Sequence, residues 1–316
     1  MRYREWAGKQ VSVLALGTSE FGGKTAEGLA RDCMDAYEAI GGSFIDTALL
    51  YGDFANRRLG GSEKVVGRWL SRRDRSKIFL STKGAHPDLD HMDQRRCGRE
   101  DILSDIRRSL DNLQTDCVDI YWLHRDDPDR PAGEILETLN LLVDSGMTRL
   151  IGVSNWPVER IRAMNDYAAA HGLRPLDADQ PQFSLARQMI VEDPTLVSVD
   201  AALWRYHART GMPLAAFSSQ AKGFFTKLDA LGAEGLPDKA RRRFLSPENL
   251  AVYGRLLKVR AETGYSVGAI ALAWLASQPF PVYPICGVSR LEHVEALAEA
   301  GDAVLTDAQR DFLRQF

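Results

Sequence analysis

Cysteine is scarce in this chain. The four thiols among 316 residues, Cys33, Cys97, Cys117 and Cys286, lie far apart and form no CxxC pair, which speaks against a disulfide framework and a structural zinc alike. Neither sign of charge is in excess. Against 40 Lys and Arg stand 43 Asp and Glu, a formal net charge of −3, so nothing pulls a phosphate polyanion from a distance and no nucleic-acid partner is expected. Long hydrophobic runs are missing as well. The longest, Val267 to Ala276, is about half what crosses a bilayer. The opening stretch MRYREWAGKQ is charged and lacks the apolar core of a secretory signal. The expectation is a cytosolic chain with no membrane partner. No low-complexity tract or charge block divides it, so residues 1–316 are expected to form one domain.

Two nucleotide signatures are also absent. GTSEFGGKT, Gly17 to Thr25, nearly spells a P-loop, but GxxxxGK[ST] needs glycine at position 18 and that residue is Thr18, which removes the phosphotransferase reading. No GxGxxG turn follows the first strand candidate, against a doubly wound dinucleotide-binding sheet.

What is present is alternation. Strand candidates run from Leu14 to Gly17, Ser43 to Thr47, Ile78 to Lys83, Val118 to His124, Arg149 to Ser154, Leu176 to Gln182, Leu214 to Ser219 and Val282 to Gly287. Several are nearly all apolar, as buried parallel strands are. Amphipathic stretches separate them: in REDILSDIRRSLDNLQ, Ile102, Ile106 and Leu110 recur at helical spacing with charges around them. Others are AGEILETLNLLVDSG, PVERIRAMNDYAAAHG and SVGAIALAWLASQ. Eight strands, each followed by a helix, predict an α/β chain folded as a (β/α)₈ TIM barrel.

Such a barrel gathers its active site at the carboxyl ends of its strands. SFIDTALLYG puts Asp46 at the end of the second strand and Tyr51 five positions on; Lys83 ends the third in IFLSTKG, and His124 the fourth in DIYWLHRDD. A single one of these is read most simply as a solvated loop residue. Four at consecutive strand ends ask for a shared purpose, the more so because a carboxylate closing an apolar strand needs a partner.

In that order these motifs resemble the aldo-keto reductase superfamily, along almost the whole chain. GGSFIDTALLYG resembles its aspartate-to-tyrosine motif, STKG its lysine strand, YWLHRDDP its histidine strand and RLIGVSNW its Ser-Asn cofactor strand. The resemblance implies an oxidoreductase that moves a hydride between a nicotinamide dinucleotide and a small carbonyl or alcohol, with Asp46, Tyr51, Lys83 and His124 as catalytic tetrad and Tyr51 as general acid/base. The chemistry is coherent. Hydride arriving at a carbonyl carbon leaves charge on oxygen, which a donor must meet. A free phenol, with a pKa near 10, gives its proton reluctantly, and an ammonium about 4 Å away at an effective dielectric near 20 stabilises a phenolate by roughly 4 kcal/mol. Asp46 would hold that ammonium charged, and His124 would orient the substrate oxygen.

The resemblance also implies a cofactor site. Ser154, Asn155 and Gln180 match positions that hold the nicotinamide carboxamide, with Gly17 and Thr18 on the same side and Phe217 stacked on the ring. Ser218, Ser219, Gln220, Lys222 and Gly223 match the segment around the pyrophosphate. Gly287, Ser289, Arg290 and His293 match the helix start that meets an adenosine 2′-phosphate. Ala296 and Leu297 stand where the family often carries Glu-Asn for adenine, which leaves NAD open, whereas Arg290 favours NADP because a guanidinium suits a phosphate. Phe21, Phe54, Trp122, Arg125 and Trp156, with Asp53 and Asp126 beside them, are the expected substrate lining, a mixture that suits a sugar or polyol.

Two rivals remain open. HPDLDHMD, His86 to Asp93, offers imidazoles and carboxylates to a divalent-metal-dependent barrel enzyme, an isomerase or hydrolase, although the simpler reading is a polar loop over the barrel mouth, with no metal ligand set expected. Some proteins resembling this family serve as cofactor-sensing subunits, so a non-catalytic nicotinamide-binding role is the other.

Overall fold

The computed structural model describes residues 1–52 and 59–314. A hairpin comes first: β1 (Tyr3–Trp6) and β2 (Lys9–Ser12) pair antiparallel across Ala7 and Gly8, both at positive φ (50° and 76°), the geometry of a two-residue hairpin turn. Eight parallel strands follow: β3 (Ala15–Gly17), β4 (Phe44–Asp46), β5 (Phe79–Gly84), β6 (Val118–Leu123), β7 (Thr148–Ser154), β8 (Ala178–Gln180), β9 (Leu214–Ala216) and β10 (Val282–Gly287). They pair in chain order, and β10 closes the cylinder against β3. Around them lie α1 (Glu27–Ala39), α2 (Gly61–Leu70), α3 (Arg99–Leu113), α4 (Ala132–Asp144), α5 (Val158–His171), α6 (Ala201–Thr210), α7 (Phe224–Leu231), α8 (Asp238–Phe244), α9 (Pro247–Thr263), α10 (Val267–Ala276), α11 (Leu291–Asp302) and α12 (Asp307–Leu313). The fold is the (β/α)₈ barrel that the alternation predicts. None of the helices among the described residues is long and apolar enough to cross a membrane.

Strand periodicity sorts the core into two shells. Phe44, Phe79, Ile120 and Tyr283 point into the cylinder, while Ile45, Leu80 and Tyr121 face the helices. The hairpin, which the sequence alternation does not announce, seals the floor. Trp6 stacks on Phe79 and on Tyr283 with ring centroids 4.7 Å apart in each case, contacts worth about 0.5–1.5 kcal/mol beyond their buried area. With the floor closed, the opposite end is the one left for chemistry.

Several strands are shorter than expected, for local reasons. β8 stops at Gln180 because Pro181 has no N–H to continue the ladder. β9 stops at Ala216 because Ser218 turns left-handed (φ 52°), a conformation that a strand does not contain. Among the helices, α5 follows Pro157 and ends at Gly172, whose φ of 67° closes it.

Candidate active site

The carboxyl-end mouth is built around a buried ion pair. Asp46, the last residue of β4, and Lys83, near the end of the adjacent β5, are each 1% exposed, and Lys83 Nζ donates to Asp46 Oδ2 at 2.6 Å and to the Thr47 carbonyl at 2.9 Å. The other carboxylate oxygen accepts from Ser81 Oγ (2.6 Å) and Gln180 Nε2 (3.1 Å). The acid that ends an apolar strand thus has a cation and two further donors, as a buried charge requires. Burial alone would drive the ammonium to lose its proton. The Asp46 charge, Tyr51 and hydrogen bonds to both outweigh that effect, and the Lys83 pKa ends above its ordinary 10.5.

Tyr51 reaches the same spot through a turn closed by its N–H on the Ala48 carbonyl (3.0 Å). Lys83 Nζ lies 4.6 Å from the centre of its ring. His124 follows β6, held where its N–H meets the Gly84 carbonyl (2.8 Å), and its ring stands edge-on to Tyr51 with centroids 5.6 Å apart. The four strand-end residues are therefore gathered on one rim. Tyr51 and His124 line a cavity of about 620 Å³ over it, together with His86, Phe217 and the segment from Glu192 to Leu196.

Both imidazoles in the cavity are held neutral. Burial is the main cause for each. Arg125 adds to it for His86, pushed down to about 4 from 6.5, and His86, Arg125 and Lys83 add to it for His124, which falls well below 6.5. An unfolded chain takes up protons below pH 6.5 that the folded protein refuses, so the stability these groups contribute is complete above 6.5 and drains away as pH falls, for His86 down to about 4. Urea unfolding from pH 7 to 4.5 should show stability falling by up to about 1.4 kcal/mol per pH unit for each imidazole, and His86→Phe should flatten that slope.

The expected substrate lining is largely displaced. Trp122 lies inside the barrel, paired in register with Lys83 and laid across Gly152, where a Cβ would come within 2.4 Å of the indole. Phe21 and Trp156 are buried among the helices, the latter beneath the Arg160 guanidinium. Asp126 is taken by that same guanidinium (3.0 Å). Arg125 does line the cavity, but as a clamp: its nitrogens bond the Thr195 hydroxyl (2.9 Å), Asp193 (3.2 Å) and the His124 carbonyl (2.9 Å). Arg243 ties down the neighbouring Glu192. Of the charges expected to serve a sugar, Arg125 is spent on the 192–195 segment and Asp126 on Arg160. Phe54 and Asp53 lie outside the described residues.

Of the expected cofactor residues, Ser154, Asn155 and Gln180 sit together at the cavity wall and are tied to one another. Ser154 Oγ donates to the Gln180 carbonyl (2.7 Å), while Asn155, itself left-handed at φ 63°, donates to Ser154 Oγ (3.1 Å) and accepts from the Val197 N–H (3.1 Å). Thr18 bonds the Asp46 carbonyl (3.0 Å). Gly17 lets β3 approach β10: a Cβ there would meet Ile285 at 2.8 Å. Phe217 shows part of its ring to the cavity, and Ser219 Oγ bonds the Ile285 carbonyl (2.7 Å). On either side of it the backbone is strained, since Ser218, Ala221 and Lys222 have φ of 52°, 47° and 57° and Gly223 one of 75°. Left-handed non-glycine residues cost about 1–3 kcal/mol each and gather at ligand clamps, where turned backbone also makes anion-binding hollows.

A second basic group lies at the start of α11. Arg290 Nε and His293 Nε2 are 2.9 Å apart, Ser289 Oγ is 3.4 Å from His293 Nδ1, and Gly287 opens onto free space. Burial, then the Arg290 cation, hold the His293 pKa down, and Lys227 contributes in the same sense. Lys227, which bonds the Lys222 carbonyl (2.7 Å), has no motif to mark it in the sequence. Ala296 is exposed and Leu297 buried on α11. His86, which the sequence offers as part of a polar loop over the mouth or as a metal ligand, lines the cavity itself. Among the described residues no three His, Cys, Asp or Glu side chains converge as a metal would need.

A closed parallel barrel whose mouth collects a phenol, an ammonium, a carboxylate and a neutral imidazole has, at its carboxyl-end rim, the types of group that barrel enzymes use there. A model of the aldo/keto reductase family matches residues 13–316. Norsolorinic acid reductase B of Dothistroma septosporum is 30% identical over 98% of this chain and 80% of its own length. The putative aryl-alcohol dehydrogenase AAD14 of Saccharomyces cerevisiae is 29% identical over 97% and 83%. Among solved structures, an aldo-keto reductase from Klebsiella pneumoniae in complex with NADPH superposes with a TM-score of 0.70 at 26% identity, over 96% of this chain and 90% of that one. The chain belongs to the aldo/keto reductase family, a family of oxidoreductases.

Proposed function

We propose that residues 1–316 act as one cytosolic enzyme that passes a hydride between NADP(H) and a small carbonyl or alcohol, with Tyr51 as general acid/base. The observation that carries this is the buried Lys83–Asp46 pair set against the Tyr51 ring at the wall of the cavity. Lys83 stabilises negative charge on the phenol oxygen when Tyr51 gives up its proton, and Asp46 keeps Lys83 charged and in place. His124, neutral at physiological pH, shares the substrate oxygen by hydrogen bond. The 192–195 segment, clamped by Arg125, screens the mouth from water.

The residues present fit a nicotinamide dinucleotide. When bound, it supplies or takes the hydride. Phe217 would hold the nicotinamide ring by stacking, the Ser154, Asn155 and Gln180 wall would face its carboxamide, and the strained stretch from Ser218 to Gly223 would receive the pyrophosphate. The Arg290 and Lys227 cations, with the neutral His293 and its hydrogen bond from Arg290 beside them, support NADP over NAD, because a 2′-phosphate supplies the dianion such cations suit. Fluorescence titration should give tighter binding of NADPH than of NADH. Arg290→Ala should weaken NADPH by about tenfold, one charge-assisted hydrogen bond of about 1.5 kcal/mol, and leave NADH within about twofold. Equal losses for both nucleotides would remove Arg290 from phosphate recognition, and binding of neither would end the reductase reading.

A further inference from the structure

His86 occupies a built position at the mouth. Its neighbour Ala85 is left-handed (φ 59°), a strained turn for a residue with a Cβ. That turn is fixed from behind: the Ala85 N–H donates to Asp105 (2.8 Å), and Arg96 binds both Asp105 (2.8 Å) and the His86 carbonyl (3.2 Å). The result aims the ring into the substrate cavity, edge-on to His124 with centroids 4.8 Å apart.

The two imidazoles present opposite hydrogen-bonding characters. His86 Nδ1 is 2.6 Å from the Pro87 carbonyl, which can only accept. Nδ1 therefore carries the proton, and Nε2 of the neutral ring is an acceptor. His124 Nδ1 is buried with no partner among the described residues. A proton there would forfeit its hydrogen bond altogether, so it belongs on Nε2, making His124 a donor on the cavity side. Tyr51 beside it is a donor too. A carbonyl oxygen needs donors and finds them in Tyr51 and His124; the adjoining acceptor calls for a hydroxyl within a ring's width of that oxygen. Among the described residues the cation nearest this corner, the Arg125 guanidinium, is taken up by Asp193, Thr195 and the His124 carbonyl.

Resting on the reductase reading above, we propose that His86 determines specificity by accepting a hydrogen bond from a hydroxyl on the carbon next to the carbonyl, so that the substrate class is an α-hydroxy aldehyde or ketone and the reverse substrate a vicinal diol. Reduction adds the hydride to the carbonyl carbon and a proton from Tyr51 to its oxygen; the neighbouring hydroxyl keeps its own proton, shared with His86 Nε2.

The test compares NADPH-dependent reduction of 2-hydroxypropanal and 2-methoxypropanal, which withdraw electrons similarly while only the first has an O–H to donate. The wild-type enzyme should prefer the hydroxy compound by about tenfold in kcat/KM, equivalent to about 1.4 kcal/mol. His86→Phe, which keeps an aromatic ring against His124 and removes the acceptor, should bring the ratio near one, chiefly by raising KM for the hydroxy compound. His86→Gln, which restores an acceptor, should recover part of it. A wild-type ratio near one, which can be measured without any variant, overturns the proposal, and so does a preference that survives in His86→Phe with normal melting. Reduction of neither aldehyde with NADPH or NADH is a different result, and takes the reductase reading down with it.

Discussion

Tyr51→Phe is expected to lower kcat/KM for carbonyl reduction by about 10²–10⁴-fold, the usual range for loss of a positioned general acid, while NADPH binds as tightly as before. The ring is kept, so its contacts with Lys83 and His124 survive; only the hydroxyl is removed. Both remaining polar neighbours are poor substitutes. Lys83 is buried against Asp46 and the Thr47 carbonyl, and its proton is held more tightly than in a free lysine. His124 is neutral, with a pKa well below 6.5, and the proton on a neutral imidazole is far less acidic than that of an imidazolium. The measurement is nicotinamide absorbance under single-turnover conditions alongside a fluorescence titration of cofactor. Turnover within tenfold of wild type, with cofactor binding intact, would move the acid role elsewhere.

The barrel and three of the four rim residues are legible in the sequence for one reason, while Tyr51, in the loop past Asp46, is marked by the family resemblance. A buried parallel strand is a short apolar run, so a charged or polar residue that closes it marks both the strand's end and the open face of the cylinder. Asp46, Lys83 and His124 can be placed this way without coordinates. The rest of the cavity depends on things a linear pattern does not carry. Trp122 is two residues before His124, and strand alternation sends it inward beside Ile120; that it lies below the mouth follows from the space left by Gly152 on the neighbouring strand. Arg125 reads as a substrate ligand by type, but its carboxylate partner, Asp193, lies 68 residues away. His86 is aimed by a left-handed Ala85, and alanine gives no sign of that conformation as glycine would. The hairpin escapes notice because its four-residue strands carry charges outward and only Trp6, Val11 and Ser12 are buried.

The same ion pair that serves the phenol should dominate the local stability, and the two roles can be separated. Lys83→Met leaves the Asp46 carboxylate in a site 1% exposed with Ser81 and Gln180 as its remaining side-chain donors among the described residues, and breaking a buried pair in this way costs about 3–5 kcal/mol. Adding Asp46→Asn removes the stranded charge and should return most of that loss, a coupling that a double-mutant cycle reads directly by urea unfolding. Activity should behave differently. If Lys83 only held the rim together, the double variant would regain turnover along with stability; if Lys83 supports the Tyr51 phenolate, the double variant is stable and still slow by orders of magnitude. The pH dependence gives an independent check with a definite sign. The folded pKa of Lys83 lies above 10.5, so the stability it contributes is fully present below 10.5 and is lost as pH rises through the folded value. Wild type should lose this contribution only at strongly alkaline pH, and the double variant should lack that component of the decline. A Lys83→Met protein as stable as wild type at pH 7 would mean that the pair carries neither the fold of the rim nor the charge on which proton transfer depends.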